Sequence, residues 1–94
     1  MKALDPQSPP VVVNLRRSEY DEFIGRPGKW GNPFFTGRDG TREQVIRKYR
    51  DWLLQRAHLM AAIEGLRGKR LGCYCKPLPC HGDVLVEFFK GFVK

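Results

Sequence analysis

The sequence has no long apolar run. Nowhere do its 94 residues approach the roughly 20 consecutive apolar residues that a bilayer-spanning helix needs. The opening MKALDPQSPP also lacks the apolar stretch of a secretory signal. The expectation is a cytoplasmic chain with no membrane partner. Acidic residues are scarce beside basic ones: ten Asp and Glu face seventeen Lys and Arg, a net charge of +7. That imbalance suits a polyanion or a phosphate-bearing small molecule, the alternative being a soluble surface that is merely basic. Cysteine is rare and oddly placed, with all three thiols between Cys73 and Cys80. A disulfide scaffold would spread an even number along the chain. Clustered thiols in a reducing compartment read instead as ligands or reactive groups. Repeats, low-complexity stretches and linkers are absent, and the length suits one domain.

Residues 1–10, with three prolines, read as a flexible lead-in, and 11–94 as a single compact domain. Val11 to Leu15 is a β-branched run that predicts a buried strand. Ser18 to Gly25 fits one helical turn or an irregular loop. Gly25 to Phe35 carries too much glycine and proline for a helix and reads as a structured loop. Thr41 with Gln44 forms a capping box. Val45, Ile46, Tyr49, Trp52 and Leu53 then recur at helical spacing, to about Gln55. Leu59, Met60, Ile63 and Leu66 suggest a second helix closed by Gly65 and Gly68. Lys69 to Cys75 predicts a second strand. Leu85, Phe88, Phe89 and Phe92 share one face of a closing helix. This order predicts a small α/β or α+β domain, a short parallel sheet covered by two or three helices. Its core is modest at this size, and a metal would support it.

In a strand, Cys73 and Cys75 point to one face while Tyr74 points away. The turn Lys76-Pro77-Leu78-Pro79 can return Cys80 to them, and His81 can complete a Cys₃His shell for zinc. The spacing C-x-C-x₄-C-H differs from paired C-x₂-C hooks, and adjacent Cys80 and His81 can diverge. If His81 faces a substrate, the metal keeps an open, catalytic position. A rival reading makes Cys80 a nucleophile or redox thiol near a helix N-terminus, beside His81. The plainest alternative is three buried cysteines acting as small hydrophobes. Asp83 reads as a first-turn carboxylate, or as a partner of His81 or a general base. His58 reads as a surface residue.

In the Gly25–Phe35 loop, Lys29 offers a charge for phosphate, Trp30 a face for stacking, and Asn32 donor and acceptor groups for a ring edge. The competing reading puts Trp30, Phe34 and Phe35 in the core. Asn14 and Arg16 stand at the end of the first strand. If the strands are parallel neighbours, both deliver residues to one carboxyl-end pocket shared with the cysteines.

These residues carry a resemblance. Val12-Val13-Asn14-Leu15-Arg16, the block IGRPGKWGNPF and the block LGCYCKPLPCHGDVL resemble domain-of-unknown-function family 4326, short proteins of bacteria and phages. The likeness runs from about Val11 to Phe89, with Tyr74 where the family commonly has tryptophan. It implies a compact domain whose two motifs form one site, and phage members hint at work on nucleotides or nucleic acid. It supplies no reaction and no assigned catalytic residue.

The expected function is a small zinc-binding domain that binds or acts on a nucleotide or nucleic-acid base. Cys73, Cys75, Cys80 and His81 would be ligands. Cys80, His81 and Asp83 are the candidate catalytic groups, and Asn14, Arg16, Lys29, Trp30 and Asn32 would hold substrate. The alternatives are a nucleic-acid-binding or interaction module with structural zinc, and a thiol-dependent enzyme using Cys80. Substrate, reaction and oligomeric state are not written in the sequence.

Overall fold

Leu71 and Cys73 alternate with Gly72 along a short strand, and both large residues are buried. This strand is the middle of the sheet. A computed structural model of the chain describes residues 6–90. In it, β1 (Val11–Asn14), β2 (Glu22–Phe23) and β3 (Arg70–Cys73) form a parallel sheet of order β1-β3-β2. Val12 is in register with Leu71 and Asn14 with Cys73, while Phe23 is in register with Gly72. All three strands therefore end at one edge.

β2 lies in the segment expected to be a helical turn or loop. It is two residues long, too short for a periodic signal, and long-range bonds hold it in place. The Asp21 carboxylate accepts from the backbone N–H and guanidinium of Arg70, and Asp21 N–H donates to the Arg70 carbonyl at 2.8 Å. The Arg70 hydrogen bonds hold the Asp21 carboxyl down at about 2.

The helices fill the β2–β3 connection and follow β3. α1 (Arg42–Leu54) starts at Thr41 with both bonds of the expected capping box. α2 (Ala57–Ala62) runs into a 3₁₀ turn at Ile63–Leu66, and α3 (Gly82–Phe88) follows the cysteine turn. The three helices and parallel sheet bear out the expected architecture. Phe92 and residues 1–5 lie outside the described residues. From the rest of the lead-in, the Ser8 carbonyl accepts from Gly68 N–H at 2.8 Å, and Pro10 is buried.

α3 packs on β1 and α1. It comes so close that a Cβ at Gly82 would sit 2.7 Å from Ile24 Cδ1 and 2.9 Å from Val12 Cγ2. The core joins Ile24, Trp30, Tyr49, Leu53, Leu71 and Leu85. On the other sheet face the Tyr20 ring covers Gly72, and Phe23 meets Tyr74 edge-on with centroids 6.5 Å apart. No helix among the described residues is long and apolar enough to cross a membrane.

Candidate metal centre and adjoining pocket

Cys73 is the last residue of β3, Cys75 follows it into the turn, and Cys80 stands just before α3. Three bonds fix that turn. Asn14 Nδ2 donates to the Lys76 carbonyl at 2.8 Å, Leu78 N–H to the Cys75 carbonyl at 2.8 Å, and Cys80 N–H to Asp83 Oδ2 at 3.0 Å. Lys76 Nζ lies 3.0 Å from Asp83 Oδ1. As a result the three thiols lie within 4.8 Å of one another.

This group can hold a metal ion. Tetrahedral zinc with bonds of about 2.3 Å separates its sulfurs by roughly 3.8 Å, within that spread. The donor set fits in a second way. Cys75 N–H donates to the Cys73 sulfur at 3.2 Å and Gly82 N–H to the Cys80 sulfur at 3.3 Å. Backbone donors aimed at sulfur disperse thiolate charge, which tunes thiolate metal centres.

His81, expected as a fourth ligand, lies outside this three-thiol group and beside Cys80. Its Nε2 lies 2.7 Å from the Ile24 carbonyl, and its Nδ1 lies 3.5 Å from the Cys80 sulfur. A carbonyl only accepts, so Nε2 carries the hydrogen and Nδ1 presents a lone pair on the cluster side. Burial keeps this imidazole below the usual histidine range, opposed by the Ile24 bond; the Arg26 charge lowers it further and Asp83 raises it. Tyr49 packs against the His81 ring at 4.9 Å, and burial pushes its phenol well up.

The free thiols are not alike. The Cys73 and Cys80 sulfurs are 2.7 Å apart. Hydrogen bonding from Cys80 lowers the Cys73 thiol, against the effect of burial, while the same bond and burial push Cys80 upward. The shared bond thus favours the charged form at Cys73 over Cys80. Both are buried, so neither has the exposed setting of a reactive cysteine.

The cluster opens on a cavity of about 330 Å³, which Cys73, Cys75, Cys80, His81, Arg26 and Arg42 help to line. The two arginines went unnoticed in the sequence. Arg26 lies inside the glycine-rich block that drew attention to its other members. Arg42 carries no local signal at all, because its bond to the Pro79 carbonyl, 3.1 Å, spans 37 positions.

The expected substrate residues are placed differently. Trp30 is only 2% exposed and belongs to the core. Its carbonyl accepts from the Tyr49 hydroxyl at 2.7 Å. Lys29 is exposed, with its ammonium 5.5 Å from the Trp30 ring centre. Arg16 lies 5.1 Å from the exposed Tyr74 ring. Asn14 is used twice in structure, bonding Lys76 and accepting from Arg16 N–H at 2.9 Å. Asp83 faces away from the thiol cavity, into a second hollow beside Lys76 and Lys90.

Asn32 lines the thiol cavity but is buried. Its Nδ2 donates to the Val45 carbonyl at 3.1 Å and its Oδ1 accepts from Phe34 N–H at 2.9 Å. Asn32→Ala removes a second bond to the Val45 carbonyl and leaves the part-buried Phe34 N–H without its partner, so it should cost about 1–2 kcal/mol. Urea denaturation would read that loss. An unchanged midpoint would mean that Asn32 is free to serve a ligand instead.

Comparison with known proteins fits this geometry. The family described as "Domain of unknown function (DUF4326)" matches residues 13–91, a span that includes both the glycine-rich block and the cysteine cluster. The chain belongs to this family. It is 40% identical over 88 residues to an uncharacterised 12.4 kDa protein in the nrdA-td intergenic region of enterobacteria phage T4, covering 88% of this chain and 80% of that one. It is 30% identical over 105 residues to an uncharacterised protein of Acanthamoeba polyphaga mimivirus, covering 86% and 80%. No solved structure matches it significantly. The DUF4326 assignment thus brings no reaction with it, and function rests on the site.

Proposed function

We propose that this DUF4326 protein is a small zinc protein that binds, and acts on, a nucleotide or nucleic-acid base beside its three-cysteine centre. The observation that carries this reading is the meeting of three thiols and a lone-pair-bearing histidine with a basic cavity of about 330 Å³. That volume lies in the range of small-molecule sites. Cys73, Cys75 and Cys80 would hold the ion. Bound zinc with a free position supplies Lewis-acid polarisation or an activated water. His81, neutral and oriented by the Ile24 carbonyl, accepts a proton or a ligand hydrogen bond at Nδ1. Asn32 and Val45 hold the loop that closes one side of the cavity. Asp83 positions Cys80 through its backbone and is removed from the reacting side.

The test is elemental analysis of protein purified without added metal, followed by calorimetric titration of that protein with a nucleoside monophosphate. The expected result is about one zinc per chain and saturable binding. Metal-free protein with three titratable thiols would sink the zinc reading and leave thiol chemistry or buried structural cysteines, which alkylation rates would separate.

One observation favours a second reading, a module that grips nucleic acid around a structural zinc. The net charge is +7, and the exposed rings of Tyr74 and Phe35 carry arginines against them. Interleaved cations and aromatics suit single strands. Affinity for an oligonucleotide that falls steeply with salt, with no binding of free nucleotide, would select it.

A further inference from the structure

We infer that Arg26 and Arg42 form a clamp for a phosphate group in the cavity beside the cysteines. The inference deepens the proposed function by naming what the ligand presents there.

Each guanidinium is anchored by one nitrogen and leaves the rest of its fork open. Arg26 Nη1 donates to the Asn32 carbonyl at 2.8 Å, with the Phe34 carbonyl at 3.5 Å, and its guanidinium carbon lies 3.9 Å from the Phe35 ring centre. Arg42 Nη1 donates to the Pro79 carbonyl at 3.1 Å. Among the described residues, Nε and Nη2 of both arginines have no hydrogen-bond partner.

What sets these two apart is the cavity they share. Arg38, Arg67 and Arg70 each meet a carboxylate, on Asp39, Glu64 and Asp21. Arg26 and Arg42 meet none, and no Asp or Glu lines their cavity. Two positive forks with no carboxylate partner beside one cavity favour an anion, although the thiolates of the cysteine centre on the same cavity offset part of that charge. A planar guanidinium offers paired N–H donors that match the oxygens of phosphate.

The anchors also fix the spacing of the pair. Asn32, which holds Arg26, is itself bonded to Val45 of α1. Arg42 is the first residue of that same helix, and it bonds the turn that carries Cys80. Both forks are therefore referenced to one rigid element and to the cysteine turn. Little ordering remains to be done when the anion arrives.

The test uses the metal-loaded full chain and four probes: inorganic phosphate, adenosine 5′-monophosphate, adenosine, and an oligothymidylate without terminal phosphates. Arg42→Gln and Arg26→Gln should each weaken adenosine 5′-monophosphate binding by about tenfold or more, with zinc content unchanged. Arg42→Lys, which keeps the charge but not the fork, should weaken it less than Arg42→Gln and replaces that variant if it misfolds. Monophosphate and inorganic phosphate bound without the oligonucleotide would identify a terminal phosphate as the ligand group. Oligonucleotide affinity lost in the same variants would identify the phosphodiester. Both outcomes support the clamp. Equal binding by wild type and both glutamine variants would overturn it while leaving the zinc reading intact. So would failure of every phosphate-bearing probe to bind. If the protein lacks zinc yet binds inorganic phosphate in an arginine-dependent way, the clamp stands and the proposed function falls.

Discussion

Removing the metal from the folded protein with a chelator should lower its melting temperature by more than about 10 °C. The three sulfurs come from the end of β3, the turn beyond it, and a residue two positions before α3. They join the central strand to the helix that packs on β1. Structural zinc in small modules contributes on the order of 10 kcal/mol. This domain also has an apolar core of its own around Leu53, Leu71 and Leu85, so the dependence should be partial. A loss of only ~3 kcal/mol lowers the midpoint by roughly 12–24 °C in a domain of this size. Differential scanning calorimetry with and without chelator checks this, and Cys80→Ser should reproduce the chelated value. A midpoint that does not move after the ion has left would make the centre an appendage of an independently stable fold, retained for chemistry alone.

Trp30→Ala should bring the protein close to unfolding. The side chain is 2% exposed within the main core. Removing a buried tryptophan costs about 3–5 kcal/mol, a large part of the roughly 5–15 kcal/mol that holds a domain together. The neighbouring bond from the Tyr49 hydroxyl to the Trp30 carbonyl would lose its rigid setting as well. Lys29→Ala, one residue away but exposed, should change stability by no more than about 0.5 kcal/mol. Chemical denaturation of the pair separates the two roles. A Trp30→Ala protein that folds normally yet loses its ligand would return the indole to the binding surface.

These two variants also mark where sequence reading succeeds and where it stops. Periodicity found α1, and the Thr41–Gln44 box placed its start, because both signals are local. The C-x-C alternation, followed by a proline turn, brought three thiols together on paper as they come together in space. The short strand at Glu22–Phe23 was hidden because Asp21 and Arg70, 49 positions apart, hold it there. For Trp30 the sequence left core and ligand surface as rivals, and for Asn32 it suggested only a ligand, since a glycine-rich loop shows no periodicity from which to read a face. Arg42 was invisible because a helix-start arginine looks like any solvent-facing cation until the cysteine turn is laid against it.

The strand order has a consequence for how the chain acquires its shape during synthesis. β1 and β2 do not pair with each other; each has β3 as its neighbour, and β3 begins 59 residues after β1. Before Arg70 leaves the ribosome, the earlier strands have no edge to join, and the nascent chain can hold little beyond a fraying α1. The sheet and the cysteine turn must then assemble together in one late, cooperative event. A truncation upstream of β3 should yield no partial domain, and the ion would meet its ligands only as the fold closes.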